Sequence, residues 1–202
     1  MSVYELKPRF QSLLRPLTRA LFDLGVTANV VTVMTCVISV ALGVILAISS
    51  QQETIFLLVP IWFFIRMAFN AIDGMLAREF GQASPLGVYL NELTDVVSDA
   101  ALYFPFALLP YSDPLLVGIV IVLSIVSEMT GVLGVLVGAE RRYDGPMGKS
   151  DRAFVFAIVG LLFGIGVSIG EVLNGIWVVV AVLLVLTIVN RVRSGLARRQ
   201  RL

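Results

Sequence analysis

Histidine is absent from this sequence, and cysteine occurs once, as Cys36. The first absence excludes imidazole catalysis and His-ligated metals; the second excludes a disulfide scaffold. Charge is scarce as well: 14% of the 202 residues, against roughly 25% in a soluble domain. So few polar groups cannot cover a water-facing surface. With 58% hydrophobic residues, the chain reads as an all-α integral membrane protein of one domain, 1–202. A net charge of +1 supplies no basic field for nucleic acid.

A bilayer crossing needs roughly 20 apolar residues. Six such runs are present, at about Val30–Ser49, Thr54–Arg78, Leu86–Leu109, Leu115–Gly138, Arg152–Gly170 and Gly175–Val192. The basic residues fall on one side of them. Lys7, Arg9, Arg15 and Arg19 precede the first run, Arg78 closes the second, and Arg141, Arg142, Lys149 and Arg152 lie between the fourth and fifth. Arg191, Arg193, Arg198, Arg199 and Arg201 follow the sixth, while the connections near Glu53, Asp113 and Glu171 contain none. The positive-inside rule then puts both termini and the 79–85 and 139–152 loops in the cytoplasm. No signal peptide is expected, because the first twenty residues lack a continuous apolar core. Within 1–25, Leu6, Phe10, Leu13, Leu17 and Leu21 recur at helical spacing, with the basic residues mostly off that stripe. This predicts an amphipathic helix in the cytoplasmic interface, which Pro8 and Pro16 are expected to break or bend.

Polar residues inside the spans are costly, roughly 2.5–3.5 kcal/mol per charge at mid-helix. Spans two to four nevertheless hold Arg66, Asn70, Asp73, Asn91, Glu92, Asp95, Asp99 and Glu128. Arg66, Asn70 and Asp73 share one helix face, and Asn91, Asp95 and Asp99 share another. Three readings remain open: buried ion pairs, a proton or ion pathway, and an oxygen-only site for Mg²⁺ or Mn²⁺. By helical rise, Arg66 sits about 10 Å deeper than Asp73, level with Asp99 and Glu128. It is therefore expected to neutralise one of those two.

The run Asn70-Ala-Ile-Asp73-Gly74-Met-Leu-Ala77-Arg78, followed by Gly87, Asn91 and Asp95, resembles the signature of the CDP-alcohol phosphatidyltransferases, D-x2-D-G-x2-A-R-x8-G-x3-D-x3-D. The spacing agrees at every position. The resemblance implies six transmembrane helices in a bacterial inner membrane, commonly as a homodimer. It implies transfer of a phosphatidyl group from CDP-diacylglycerol to a small alcohol, with release of CMP. By similarity, Asp95 is the general base, and Asn70, Asp73, Asn91 and Asp95 are the metal positions. Asn70, Asp73, Gly74, Ala77, Arg78 and Gly87 are the nucleotide-binding positions. Lys149, Arg152 and Arg191 are candidates for an acceptor pocket, which would suit a phosphorylated alcohol such as glycerol 3-phosphate or an inositol phosphate. Thr27-Ala28-Asn29 through Thr32 resembles the family's entry to the first span.

The sequence departs from the signature at Asn70 and Asn91, where the pattern has aspartate. The alternative to a full enzyme is a weakened or non-catalytic lipid- or nucleotide-binding relative. Asp99 is expected to restore the missing charge ahead of Glu92, because it shares a face with Asp95. Three Gly pairs at four-residue spacing, Gly134/Gly138, Gly160/Gly164 and Gly166/Gly170, permit close helix packing.

Overall fold

The computed structural model describes residues 3–199, with side chains described over 9–197. The expected roles of Lys7, Arg198, Arg199 and Arg201, and of Leu6 in the apolar stripe, lie outside the described side chains. Every regular element among the described residues is helical. In chain order these are α1 (Val3–Asp23), α2 (Ala28–Ile48), α3 (Leu58–Glu79), α4 (Pro85–Tyr103), α5 (Pro114–Leu136), α6 (Lys149–Gly164) and α7 (Gly170–Arg199). Short 3₁₀ segments at Glu53–Leu57 and Phe104–Leu108 lead into α3 and extend α4.

Four segments are long and apolar enough to cross a membrane: Ala28–Ile48, Glu53–Glu79, Pro114–Leu136 and Gly170–Ala197. The other two expected spans fall short for identifiable reasons. α4 carries Asn91, Glu92, Asp95 and Asp99 within 19 residues, and α6 has only 16. Helix ends sit at turn glycines. Gly25, Gly138 and Gly166 adopt φ of 79°, 83° and 78°, the left-handed conformation that glycine enters without a Cβ penalty. At each, the next residue's N–H returns to the helix: Val26 to the Leu21 carbonyl, Ala139 to Gly134 and Val167 to Leu162. This is the Schellman pattern.

The chain forms two compact units. The first comprises Met1–Ala41 and Ile61–Ser98. Its core is Ala28, Val31, Ile72 and Leu76, with Leu14 and Leu21 of α1 packed against them. The expected break in α1 does not occur: the helix runs through Pro8 and Pro16. An interior proline costs about 3 kcal/mol, and the docked face opposes that term. Thr18 is fully buried, with its Oγ1 3.9 Å from Met75 Sδ, and Arg15 grips Glu79 through Nε and Nη2 at 3.2 and 3.1 Å. Leu13 and Leu17 of the expected stripe remain exposed, so the face docked on α3 is the Leu14–Thr18–Leu21 face. Trp62 Nε1 donates to Ser39 Oγ at 3.0 Å, tying α3 to α2.

The second unit comprises Leu42–Pro60 and Asp99–Leu202, and its centre is aromatic. Tyr103 stacks on Phe156 with ring centroids 3.8 Å apart, and Phe156 stacks on Trp177 at 4.9 Å. Phe106 meets Phe156 and Phe56 edge-on. Asn174 clamps the turn before α5, accepting from the Asp113 N–H at 2.8 Å and donating to the Tyr111 carbonyl at 3.1 Å. One of the expected pairs packs within the chain: a Cβ on Gly160 would lie 3.1 Å from Val59, and one on Gly164 2.8 Å from Leu57. Gly43 is tighter still, since its Cβ would fall 2.3 Å from the Ala101 carbonyl oxygen. Gly43→Ala must push α2 off the end of α4, where backbone cannot yield cheaply. The expected loss is about 1–3 kcal/mol, measured as a lower unfolding midpoint in detergent.

Candidate functional site

A cleft of about 250 Å³ opens in the first unit, between the start of α2, the end of α3 and the start of α4. Asp73, Gly74, Ala77, Arg78, Gly87 and Asn91 line it, six of the positions singled out from sequence. Asn70 and Asp95 are not among the lining residues. Asn29, Thr32, Gln82, Ser84 and Glu92 also contribute. The volume lies below the roughly 300–1,000 Å³ of drug-sized pockets. It suits a polar headgroup fragment rather than acyl chains.

Each wall has a local cause. Thr27 Oγ1 accepts from the Val30 N–H at 3.3 Å and caps α2, the usual use of a hydroxyl at that position. Gln82 Oε1 accepts from the Ala28 N–H at 2.7 Å, fastening the α3–α4 turn to the same helix start. Gly81 makes that turn with φ 70°. Gly87 fits because a Cβ there would lie 2.9 Å from Asn29 Oδ1 and 3.2 Å from Ser84 Oγ, so glycine lets α4 approach the mouth of α2. Gly74 has a different occupant from the expected ligand: a Cβ would sit 2.6 Å from Arg78 Nη2. The guanidinium folds back over α3 at Gly74 and forms part of the cleft wall.

Asp73 is 7% exposed, and its Oδ2 lies 2.9 Å from Thr32 Oγ1. That hydroxyl also lies 3.0 Å from the Ala28 carbonyl, and its single proton can go to only one of them. Sequence reasoning saw the 27–32 segment as an entry signal but not Thr32 as the group positioning Asp73. Gln82 could not be found from spacing, since its role depends on how the turn folds.

One buried pairing was not foreseen. Arg66, 3% exposed, reaches Asp95 through Nη2, at 3.3 Å from Oδ1 and 3.2 Å from the backbone carbonyl. It was expected on Asp99 or Glu128. Those two acids belong to the second unit and meet Arg152, whose Nη2 lies 3.2 Å from Asp99 Oδ2 and 3.1 Å from Glu128 Oε1. Arg141 reaches Glu128 at 3.3 Å; Arg191 reaches the same carboxylate at 3.5 Å, and its Nη1 also donates to the Ser127 carbonyl. Helical rise gave the depth of Arg66 but did not single out Asp95 as a neighbour.

Two further expectations change with this pairing. Asp99, the preferred substitute for the missing charge, is 4% exposed and committed to Arg152, whereas Glu92 lines the cleft. Arg152 and Arg191, candidates for an acceptor phosphate, are fully buried and 2% exposed, and both are engaged by Glu128. Lys149 is half-buried at the start of α6. Asp151 Oδ2 accepts from the Gly148 N–H at 2.9 Å, occupying the helix start. Arg142 pairs with Asp144 at 2.8 Å.

The model of one family, the CDP-alcohol phosphatidyltransferases, matches residues 25–193. The chain belongs to this family. The match extends over parts of both units, and it assigns the phosphatidyltransferase class of enzyme. The chain is 45% identical over 196 residues to the inner membrane protein YnbA of Escherichia coli (strain K12), covering 97% of each. The phosphatidylinositol phosphate synthase of Mycobacterium tuberculosis (strain ATCC 25618 / H37Rv) is 31% identical over 94 residues, 46% of this phosphatidyltransferase and 42% of that protein. A crystal structure of the Mycobacterium tuberculosis synthase with CDP-DAG bound superposes with TM-score 0.71 at 24% identity, covering 89% and 92% of the two chains. One in complex with manganese and citrate gives 0.70, covering 89% and 87%. These likenesses establish a shared fold for a membrane phosphatidyltransferase.

Proposed function

We propose that this phosphatidyltransferase moves a phosphatidyl group from CDP-diacylglycerol to a small alcohol and releases CMP, using the cleft of the first unit. The supporting observation is that Asp73, Gly74, Ala77, Arg78, Gly87 and Asn91 converge on that one opening. Arg78 and the polar groups at the start of α2 hold the diphosphate and the cytidine side of the donor, because a guanidinium fork matches phosphate oxygens. Gly87 keeps the mouth open. Asp95, one turn beyond Asn91 on α4, takes the proton of the acceptor hydroxyl, and Arg66 orients its carboxylate. The oxygen then bonds to the lipid-side phosphorus, the phosphoanhydride bond breaks, and CMP carries away the bonding pair.

The donors of the cleft are all oxygens: the carboxylates of Asp73 and Glu92, the amide of Asn91 and the Thr32 hydroxyl. That set fits Mg²⁺ or Mn²⁺, with Asp73 and Asn91 as ligands and Asn70 and Asp95 one turn away. When bound, such a cation offsets diphosphate charge and stabilises the leaving phosphate. The relatives carrying manganese and CDP-DAG in their structures support this assignment.

Around this chemistry we read six spans, α4 and α6 joining the four apolar segments. Both termini lie in the cytoplasm of a bacterial inner membrane, α1 lies in the interface, and the whole chain acts as one domain in a homodimer. An acceptor role for Lys149, Arg152 and Arg191 requires an anion to compete with Glu128 for the two arginines. The test is CMP release from CDP-diacylglycerol by the purified protein, scanned over phosphorylated and unphosphorylated alcohols with and without Mn²⁺. Release that needs both an alcohol and the cation is expected; none with any alcohol contradicts the reading.

A further inference from the structure

Each arginine buried among the described residues meets a carboxylate. In the first unit Arg66 reaches Asp95 at 3.3 Å. In the second, Arg152 lies 3.1 Å from Glu128 Oε1 and 3.2 Å from Asp99 Oδ2, and Arg191 lies 3.5 Å from the same Oε1. Arg141 comes to the other oxygen, Oε2, at 3.3 Å. One carboxylate thus takes three guanidinium groups. A charge inside an apolar span is expensive, and Glu128 is the one charged residue of α5 between Pro114 and Leu136. Ser127 beside it serves the same cluster, its hydroxyl 3.4 Å from Arg152 Nη1 and its carbonyl accepting from Arg191. Guanidinium forks suit phosphate and carboxylate oxygens alike. Here the oxygens come from within the chain.

The cleft of the first unit has one basic side chain among its lining residues, Arg78, and the donor's diphosphate claims it. A phosphate on the acceptor would add about two negative charges at neutral pH, with no buried arginine among the described residues left to match them. Drawing a guanidinium away from Glu128 would strand a buried carboxylate, which is strongly unfavourable. We propose that Glu128 determines acceptor specificity: its carboxylate fills the anion position among Arg141, Arg152 and Arg191 and restricts the acceptor to an alcohol without a phosphate group. This rests on the transferase reading above and narrows it to one acceptor class. The transfer itself is unchanged: the hydroxyl oxygen bonds to the lipid-side phosphorus, its proton goes to Asp95, and CMP leaves with the bonding pair.

The experiment measures CMP release by the purified full-length protein for two acceptor pairs, glycerol against glycerol 3-phosphate and inositol against an inositol phosphate. In whichever pair supports release, kcat/KM for the unphosphorylated alcohol is expected to exceed that for its phosphate ester by at least about tenfold. Glu128→Gln keeps the side-chain shape and one oxygen but removes the charge, and is expected to move that ratio toward the phosphate ester by about tenfold or more. Glu79→Gln, which removes an acid from the exposed pair with Arg15, is expected to leave the ratio where it stands. A merely structural role for Glu128 would lower both rates together and leave the ratio unmoved, and that result overturns the assignment. Equal or faster turnover of the phosphate esters by the unaltered protein also overturns it and leaves the transferase reading standing. No release with any alcohol overturns both. The comparison within the unaltered protein decides the acceptor class without depending on how well Glu128→Gln folds.

Discussion

Asp95→Asn is expected to lower CMP release by about 10²–10⁴-fold, the range associated with a positioned general base. The substitution keeps the side-chain shape and an oxygen for Arg66, whose Nη2 lies 3.3 Å from Oδ1. What it removes is the ability to accept the hydroxyl proton. Donor binding is expected to change little, because Asp95 is not among the lining residues of the cleft. The effect should therefore appear in kcat, with KM for CDP-diacylglycerol nearly unchanged. Initial rates over a range of donor concentrations separate the two, and equal turnover by the variant would remove Asp95 from the chemistry.

The second large effect concerns stability and lies in the other unit. Arg152 is fully buried between Asp99 and Glu128, and Glu128 also receives Arg141 and Arg191. Removing one partner of a buried pair leaves the opposite charge without compensation, a loss of about 3–5 kcal/mol. Arg152→Met is accordingly expected to lower the unfolding midpoint strongly and to reduce accumulation in the membrane. Adding Asp99→Asn removes part of the stranded negative charge. The pair should recover stability with a coupling of about 0.5–3 kcal/mol. Thermal unfolding in detergent, followed by tryptophan fluorescence, measures the full cycle. Additive losses would show that Asp99 and Arg152 do not depend on each other.

Those ion pairs also mark where sequence reasoning reached its limit. Helix positions were legible because turn glycines, prolines and the length of each apolar run are local signals; Gly25, Pro85, Pro114 and Gly166 all stand at or beside element ends. The cleft was legible because a long fixed spacing places Asp73, Gly74, Arg78, Gly87 and Asn91 on two consecutive helices. The contact of Arg66 with Asp95 was not legible. Rise along a helix gives depth, but rotation of one helix about its own axis decides which acid is faced, and that rotation is fixed by packing such as Trp62 on Ser39. The unbroken course of α1 through Pro16 reflects docking by Leu14, Thr18 and Leu21, a tertiary effect that overrides local preference.

The account depends most on Asp73 holding the diphosphate end of the donor through a divalent cation. Equilibrium binding of radiolabelled CDP-diacylglycerol to the protein in lipid nanodiscs, with and without Mn²⁺, tests this directly when the unaltered chain is compared with Asp73→Asn. The expected result is Mn²⁺-dependent binding that the substitution weakens by more than about tenfold, or roughly 1.4 kcal/mol. Binding of equal strength in both proteins, or binding indifferent to Mn²⁺, would contradict it.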